Sequence, residues 1–403
     1  MNDNEYPYGS NGGNGQYPYG QNPGNAQYPY GQNGGNGQYP YGQNRERPPY
    51  PYGGGGNSPY GNGGQPYGYY PPKKSFGQKL REAFADPSRR NLMLLGMAAG
   101  TGVLLYLLLS AAFSFVLSNV GDLYDRYLND EVFSLLAETM YSMFCLALPF
   151  TVIFAVVRRV TGFNRPLPFQ KPRGGWQAVL LLPSGLGLCF IGNILSNYIV
   201  TFANSVGVTF RSYETAMEQQ SDAPETLGLL LLTVVHTAVL PALLEELIFR
   251  GYIMQPLRRY GDWFAIITSA LIFGLVHGNM MQVPFAILAG VALGYINVVT
   301  GSMWMNILLH FLNNFISVLY TSAVAVSGES LGVVLSLAVT YGVIALGVLA
   351  FVGYVLSNRN FARLRPGDQP RFPRKAAHFW LMPTVIIALL LIARAIVMDI
   401  VVK

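Results

Sequence analysis

The sequence predicts an all-α fold, a polytopic membrane helix bundle of about eight or nine transmembrane helices behind a disordered N-terminal tail. Hydrophobic residues make up 51% of the 403 residues and charged residues only 11%, whereas soluble domains carry about 25% charged residues. The apolar residues also gather into runs, most of them near the roughly 20 residues with which a helix crosses a hydrocarbon core of about 30 Å. Membrane lipids are therefore the expected surroundings of most of the chain.

The N-terminal tail, residues 1–72, has a different composition from the rest of the chain. A Tyr-Pro-Tyr-Gly unit recurs every 11 residues, with its first copies at Tyr6, Tyr17, Tyr28 and Tyr39. The segment contains no Leu, Ile or Val, so burial of apolar side chains cannot offset the entropy lost on ordering it. We predict a disordered segment, which acts either as an inert tether or as a weak interaction site.

Residues 73–91 are a basic juxtamembrane segment that leads into a transmembrane domain predicted over residues 92–403. Each predicted helix coincides with one apolar run. The predicted helices are 92–117, 132–157, 176–202, 226–257, 263–280, 283–299, 302–326, 331–356 and 379–400. The runs at 263–280 and 283–299 are short, so they form either two spans or one re-entrant pair.

Acidic and basic loops alternate between these helices. Loops 118–131 and 203–225 are acidic on balance, whereas loops 158–175, 258–262 and 357–378 are rich in Arg and Lys. Cytoplasmic loops of membrane proteins carry an excess of Arg and Lys, which predicts a cytoplasmic N-terminal tail. Topology thus accounts for the formal charge of +6, and we expect no nucleic-acid partner.

Ionisable and amide side chains gather in three apolar segments between residues 241 and 314. An ionisable group at membrane depth costs several kcal/mol unless it is paired or faces a wet cavity, so it indicates a functional site. Counted at about 1.5 Å per residue from the predicted cytoplasmic ends, the three groups reach a similar depth. They comprise Glu245, Glu246 and Arg250, then Phe273 and His277, then His310, Asn313 and Asn314.

The two adjacent glutamates are expected to have different roles. Neighbouring residues of a helix diverge by about 100°, so Glu245 and Glu246 cannot share one task. Glu246 and Arg250 are four residues apart and can form an ion pair on one face. Glu245 is then free to face another helix. Taken alone, the motif is also compatible with a buried ion pair that only fixes helix packing.

His277, His310 and Asn314 can likewise have either a catalytic or a structural role. A carboxylate with an imidazole can deprotonate a water molecule, and a second imidazole with an amide can stabilise an oxyanion. Alternatively, Glu245, His277 and His310 form a zinc site with an open position for water. Each group alone is also compatible with interhelical hydrogen bonding. We interpret the remaining candidates, His236, His378, Cys145 and Cys189, as structural residues.

At these three motifs the chain resembles the CPBP family, which contains the CAAX proteases and bacteriocin-processing enzymes and is also called the Abi family. The family pattern Glu-Glu-x-x-x-Arg, Phe-x-x-x-His and His-x-x-x-Asn is present in order within residues 226–320. The resemblance implies an intramembrane endopeptidase in which Glu245 and His277 activate water. It further implies that His310 and Asn314 form the oxyanion site and that Glu246, Arg250 and Phe273 support it. Zinc dependence stays open, because both metal-dependent and glutamate-dependent mechanisms have been argued for this family.

The resemblance also bears on substrate and location. Eukaryotic members cut prenylated CAAX tails, whereas bacterial relatives are linked to bacteriocin maturation and immunity. The short loops favour a multi-pass protein of a bacterial plasma membrane, with a peptide or membrane-anchored protein as substrate. Two other functions are compatible with the same residues: a catalytically silent scaffold or bacteriocin-immunity factor, and a transporter, since intramembrane charges also line ion paths.

Overall fold

The computed structural model describes residues 74–163, 166–213, 224, 226–327, 329–367 and 371–402. The predicted disordered tail, residues 1–72, therefore lies outside the described residues. Within the described part, helices dominate, and the prediction of an all-α polytopic bundle is confirmed. The helices are α1 Phe76–Ala85, α2 Pro87–Asn119, α3 Leu123–Asn129, α4 Glu131–Thr161, α5 Trp176–Ser205, α6 Leu227–Tyr260, α7 Asp262–Leu275, α8 Val283–Thr300, α9 Met303–Ser327, α10 Glu329–Ser357, α11 Phe372–Trp380 and α12 Pro383–Asp399.

The ends of several helices follow from local chemistry. The Asp86 carboxylate accepts hydrogen bonds from the backbone N–H groups of Ser88 and Arg89 at 2.9 and 3.2 Å and so caps the start of α2. Pro87 occupies the first helical position, where its missing N–H costs nothing. At the other end of a helix, Gly301 adopts a left-handed conformation with φ 63° and ends α8.

Within the described part of the chain, fewer helices than predicted have the length and hydropathy of a membrane span. Six of them do, namely α2, α4, α5, α6, α8 and α10. A seventh span exists only if α11 and α12 are counted together, because these two helices bend by 76° at their junction. The prediction of one helix over 379–400 was thus wrong at its start, and Pro383 explains why. Proline disfavours helical geometry in the residue before it, so α12 begins at Pro383.

The predicted helix 263–280 ends early, at Leu275. Gly278 has φ 68°, a left-handed conformation that stops the helix. Helix α7 is therefore 14 residues long and turns directly into α8. The two helices pack closely: a Cβ added at Gly290 of α8 would lie 2.9 Å from Cα of Ala270 in α7. This close contact brings the backbone of α8 next to the charged residues of α6.

Three π-helical turns interrupt the two longest composite helices. One is Ser142–Ala147 in α4, and the others are Val235–Val239 and Glu246–Met254 in α6. Such turns occur preferentially at functional sites, and both turns of α6 flank Glu245.

The chain also contains a two-stranded antiparallel sheet that was not predicted, formed by β1 Val208–Phe210 and β2 Ile400–Val402.

Candidate active site

The Glu246–Arg250 ion pair lies at the base of the site, as the sequence predicted. Arg250 Nη1 is 3.0 Å from Glu246 Oε1, and both side chains are 0% exposed. The guanidinium also lies over the Phe273 ring, 4.5 Å from its centroid, and Nη2 donates to the Gly290 carbonyl at 3.4 Å. Carboxylate, ring face and carbonyl together offset part of the cost of removing the cation from water, while Nε and Nη1 of Arg250 make no hydrogen bond within the described residues. The motif residue Phe273 thus supports Arg250 directly.

His310 lies between the two glutamates. Its Nδ1 is 3.0 Å from Glu246 Oε1, and its Nε2 is 3.8 Å from Glu245 Oε2. Because a carboxylate paired with Arg250 only accepts hydrogen bonds, Nδ1 carries the proton in this contact. Each carboxylate thus faces a different nitrogen of the same ring, and Glu245 faces another helix, as expected.

Glu245 differs from Glu246 in accessibility. Its side chain is 19% exposed, whereas Glu246 is fully buried. The separation of 3.8 Å from His310 exceeds hydrogen-bond length, and such a gap is commonly bridged by water. Glu245 is therefore the more accessible of the two carboxylates.

His277 lies just beyond the end of α7. Its Nδ1 donates to the Phe273 carbonyl at 2.8 Å, because a carbonyl only accepts. In the neutral ring this tautomer leaves a lone pair on Nε2. The Phe273 ring packs edge-on against both imidazoles, with centroid distances of 5.2 Å to His277 and 6.1 Å to His310. Phe273 thus contacts both histidines, and the histidine that Glu245 contacts is His310.

Asn314 lies one helical turn after His310 on α9. Its Nδ2 donates to the Thr237 carbonyl at 2.9 Å, and its Oδ1 accepts from Asn313 at 3.0 Å. A side-chain amide has two N–H groups, so one of them is left for another acceptor. Asn306, one turn before His310, is fully buried, and both of its amide atoms have no hydrogen-bond partner within the described part of the chain.

The predicted zinc ligands do not come together as a metal site. Across the described ranges, no group of three or more His, Cys, Asp or Glu side chains is arranged to hold a metal ion. Of Glu245, His277 and His310, only Glu245 and His310 form a contact, at 3.8 Å. The donor set therefore does not fit zinc in this arrangement. Both cysteines, Cys145 and Cys189, are free and buried, as expected of packing residues.

A second histidine–carboxylate pair was missed by the sequence analysis. His236 Nε2 is 3.0 Å from Glu138 Oε2, and His236 Nδ1 is 3.1 Å from the Thr139 hydroxyl. Tyr127 of α3 donates to the other oxygen of Glu138 at 2.8 Å. The available signal was that Glu138 and His236 are lone ionisable residues in apolar helices, where each needs a partner.

Comparison with known proteins places these residues in context. Residues 227–316, less than a quarter of the chain, match the sequence model of a family described as type II CAAX prenyl endopeptidase Rce1-like. The match spans all three motifs. The chain is also 21% identical over 183 residues to the "Putative membrane peptidase YdiL" of Bacillus subtilis, which covers 44% of this chain and 70% of that protein. No solved structure matches the chain. The ordered motifs and the family match together support the resemblance to CPBP-family proteases, with the Rce1-like match at residues 227–316.

Proposed function

We propose that this protein is an intramembrane endopeptidase that hydrolyses a peptide bond with water activated by Glu245. The observation that supports this most strongly is the arrangement around His310. A buried ion pair holds one nitrogen of this ring, and the other nitrogen faces the accessible Glu245 carboxylate at 3.8 Å. A carboxylate and an imidazole at that separation can hold one water molecule between them.

The proposed reaction uses the residues of this chain alone. Glu245 removes one proton from the water, and the hydroxide oxygen bonds to the scissile carbonyl carbon while the carbonyl electron pair moves to its oxygen. The resulting oxyanion accepts hydrogen bonds from the remaining N–H of Asn314 and from protonated Nε2 of His310. Glu245 then delivers its proton to the amide nitrogen as the C–N bond breaks. The products are a carboxylic acid and an amine.

His277 and the buried ion pair have supporting roles in this proposal. The Nε2 lone pair of His277 offers a second acceptor for the attacking water. Glu246 accepts the Nδ1 proton of His310 in a hydrogen bond, and Arg250 pairs with Glu246. A mechanism without metal agrees with the donor set, since the candidate ligands do not form a metal-binding group within the described residues.

The substrate is proposed to be a peptide or a membrane-anchored protein segment that reaches the site from the lipid bilayer. The residues of the site belong to apolar helices of a multi-pass protein, so substrates that partition into the membrane are favoured. The family description names prenylated CAAX proteins as one such class. We further propose a plasma-membrane location with the N-terminal tail in the cytoplasm, because the basic loops then lie inside.

The proposal is tested with purified protein in proteoliposomes and a library of quenched fluorescent peptides, each prepared with and without a farnesyl group. We expect cleavage that a chelator does not reduce and that proceeds without stoichiometric bound zinc. Cleavage that a chelator abolishes and zinc restores would overturn the metal-free mechanism. Absence of cleavage from a folded sample across the library would overturn the assignment as a protease.

A further inference from the structure

The second histidine–carboxylate pair connects α6, which lies within the matched family region, to α3 and α4, which lie outside it. His236 belongs to the first π-helical turn of α6, Val235–Val239, while Glu138 and Thr139 belong to α4. The contacts at 3.0 and 3.1 Å use both nitrogens of the ring. Tyr127 extends the network to α3 through its 2.8 Å hydrogen bond to Glu138. The π-helical turn is thereby held against α4 by side-chain hydrogen bonds.

The same π-helical turn holds Asn314. The carbonyl that accepts the 2.9 Å hydrogen bond from Asn314 is that of Thr237, the residue next to His236. In an α-helix this carbonyl would accept from the N–H of residue 241, but Pro241 has no N–H. Proline thus removes the donor of an α-helical bond at this position, and the Asn314 side chain donates to the same carbonyl. The direction of one backbone carbonyl therefore sets the orientation of the Asn314 amide.

We infer that His236 and Glu138 are positioning residues that orient Asn314 through the π-helical turn of α6. The catalytic consequence of this inference rests on the proposed function, in which Asn314 donates to the oxyanion. Polar and ionic groups between apolar helices cost more than well-packed apolar residues, and their best-attested use is to fix register and orientation. Loss of either side chain frees the turn, so the Thr237 carbonyl and the Asn314 amide move together.

The test is a double-mutant cycle between His236→Leu and Asn314→Ala, measured in both kcat and unfolding midpoint in detergent. With Asn314 present, we expect His236→Leu to lower kcat about tenfold and to leave KM within about twofold. With Asn314→Ala as the background, the same substitution should change kcat less than about twofold. His236→Gln retains a donor to Glu138 and should restore most of the activity.

Tyr295→Phe is the matched control, because, like His236→Leu, it removes a side-chain group that makes two hydrogen bonds between helices. Tyr295 contacts the Tyr354 hydroxyl at 3.0 Å and donates to the Phe361 carbonyl at 2.8 Å, on the side of α8 that faces α10. Its effects should be the same with and without Asn314. If His236→Leu does not fold, Glu138→Gln takes its place in the cycle.

Equal effects of His236→Leu in the two backgrounds, in both kcat and unfolding midpoint, would overturn the inference. The unfolding cycle does not depend on peptidase activity. Coupling between the two sites in a sample without peptidase activity would therefore support the positioning role and refute the proposed function. If the effects of His236→Leu and Asn314→Ala simply add in an active enzyme, the positioning role is refuted but the proposed function is not.

Discussion

Two histidine–carboxylate pairs of equal length lie within the apolar helices, and they differ in how completely they are hydrogen-bonded. His310 and Glu246 are 3.0 Å apart, as are His236 and Glu138. Around His236, each ring nitrogen has a partner and Tyr127 donates to the second Glu138 oxygen. Around His310, the second Glu246 oxygen has no hydrogen-bond partner within the described residues, and the second ring nitrogen faces Glu245 at 3.8 Å.

The carboxylates of the two pairs also differ in burial, and the one with fewer hydrogen-bond partners is the more buried. Glu246 is 0% exposed, whereas the Glu138 side chain is 43% exposed. The more buried cluster is thus the less satisfied one, although unsatisfied polar groups are most costly when buried. A fully satisfied cluster fixes helices in place. A buried cluster with spare hydrogen-bonding capacity is typical of a site that binds water or substrate.

The largest expected contrast is between the two histidines. His310→Gln should lower peptide cleavage by about 10²–10⁴-fold, because the ring that faces both glutamates is lost. His236→Gln should retain most activity, since the amide still donates to Glu138. Steady-state cleavage by both variants at matched unfolding midpoints measures this contrast. Similar losses in the two variants would contradict the different roles given to the two clusters.

Removal of Arg250 should damage folding more than chemistry. Arg250→Ala leaves the Glu246 carboxylate buried without its partner, at a cost of about 3–5 kcal/mol. Arg126→Ala is the control, because Arg126 also lies 4.5 Å above a phenylalanine ring, Phe133, but is exposed. Its substitution should cost about 1 kcal/mol or less. Unfolding titrations in detergent compare the two, and equal losses would count against the buried ion pair.

Asn314→Ala should lower kcat by about 10²–10³-fold with a small change in KM, because it removes the N–H donor that we propose for the oxyanion. Asn119→Ala serves as the control, since Asn119 is exposed and donates only to the Phe115 carbonyl. Initial rates over a range of peptide concentrations separate kcat from KM. A rise in KM at constant kcat would instead assign Asn314 to substrate binding.

The smallest expected effect is at the satisfied cluster. Thr139→Val removes one of the two partners of His236 and should cost about 0.5–1.5 kcal/mol of stability. Cleavage should stay within about threefold of the unmodified protein, because the contact between His236 and Glu138 remains. Unfolding and cleavage assays on the same preparation check both values. A loss of activity as large as that of His310→Gln would remove the distinction between the clusters.

Local features of the site were predictable from the sequence, and contacts between helices were not. The Glu246–Arg250 pair was predicted because residues four apart share a helix face. The position of His310 between two glutamates depends on how α6 and α9 rotate against each other, which no local pattern encodes. The pairing of Glu138 with His236 was missed for the same reason. In each case the residues that contact each other are far apart in the chain.

Helix ends show a similar division. The apolar runs located most helices, since burial and lipid contact both favour apolar residues. The early end of α7 and the 76° bend before α12 depend on Gly278 and Pro383, two backbone signals inside otherwise apolar runs. The two strands of the sheet are short segments whose local sequence only weakly favours a strand. Their pairing with each other, which the sequence does not reveal, is what makes them a sheet.

The central claim is that the Glu245 carboxylate in particular, and not any carboxylate among the apolar helices, activates the water. The most direct measurement is peptide cleavage by Glu245→Gln beside Glu138→Gln, in preparations whose unfolding midpoints match the unmodified protein. The account predicts no detectable cleavage by Glu245→Gln and at least about a tenth of the normal rate for Glu138→Gln. Normal turnover by Glu245→Gln would contradict it.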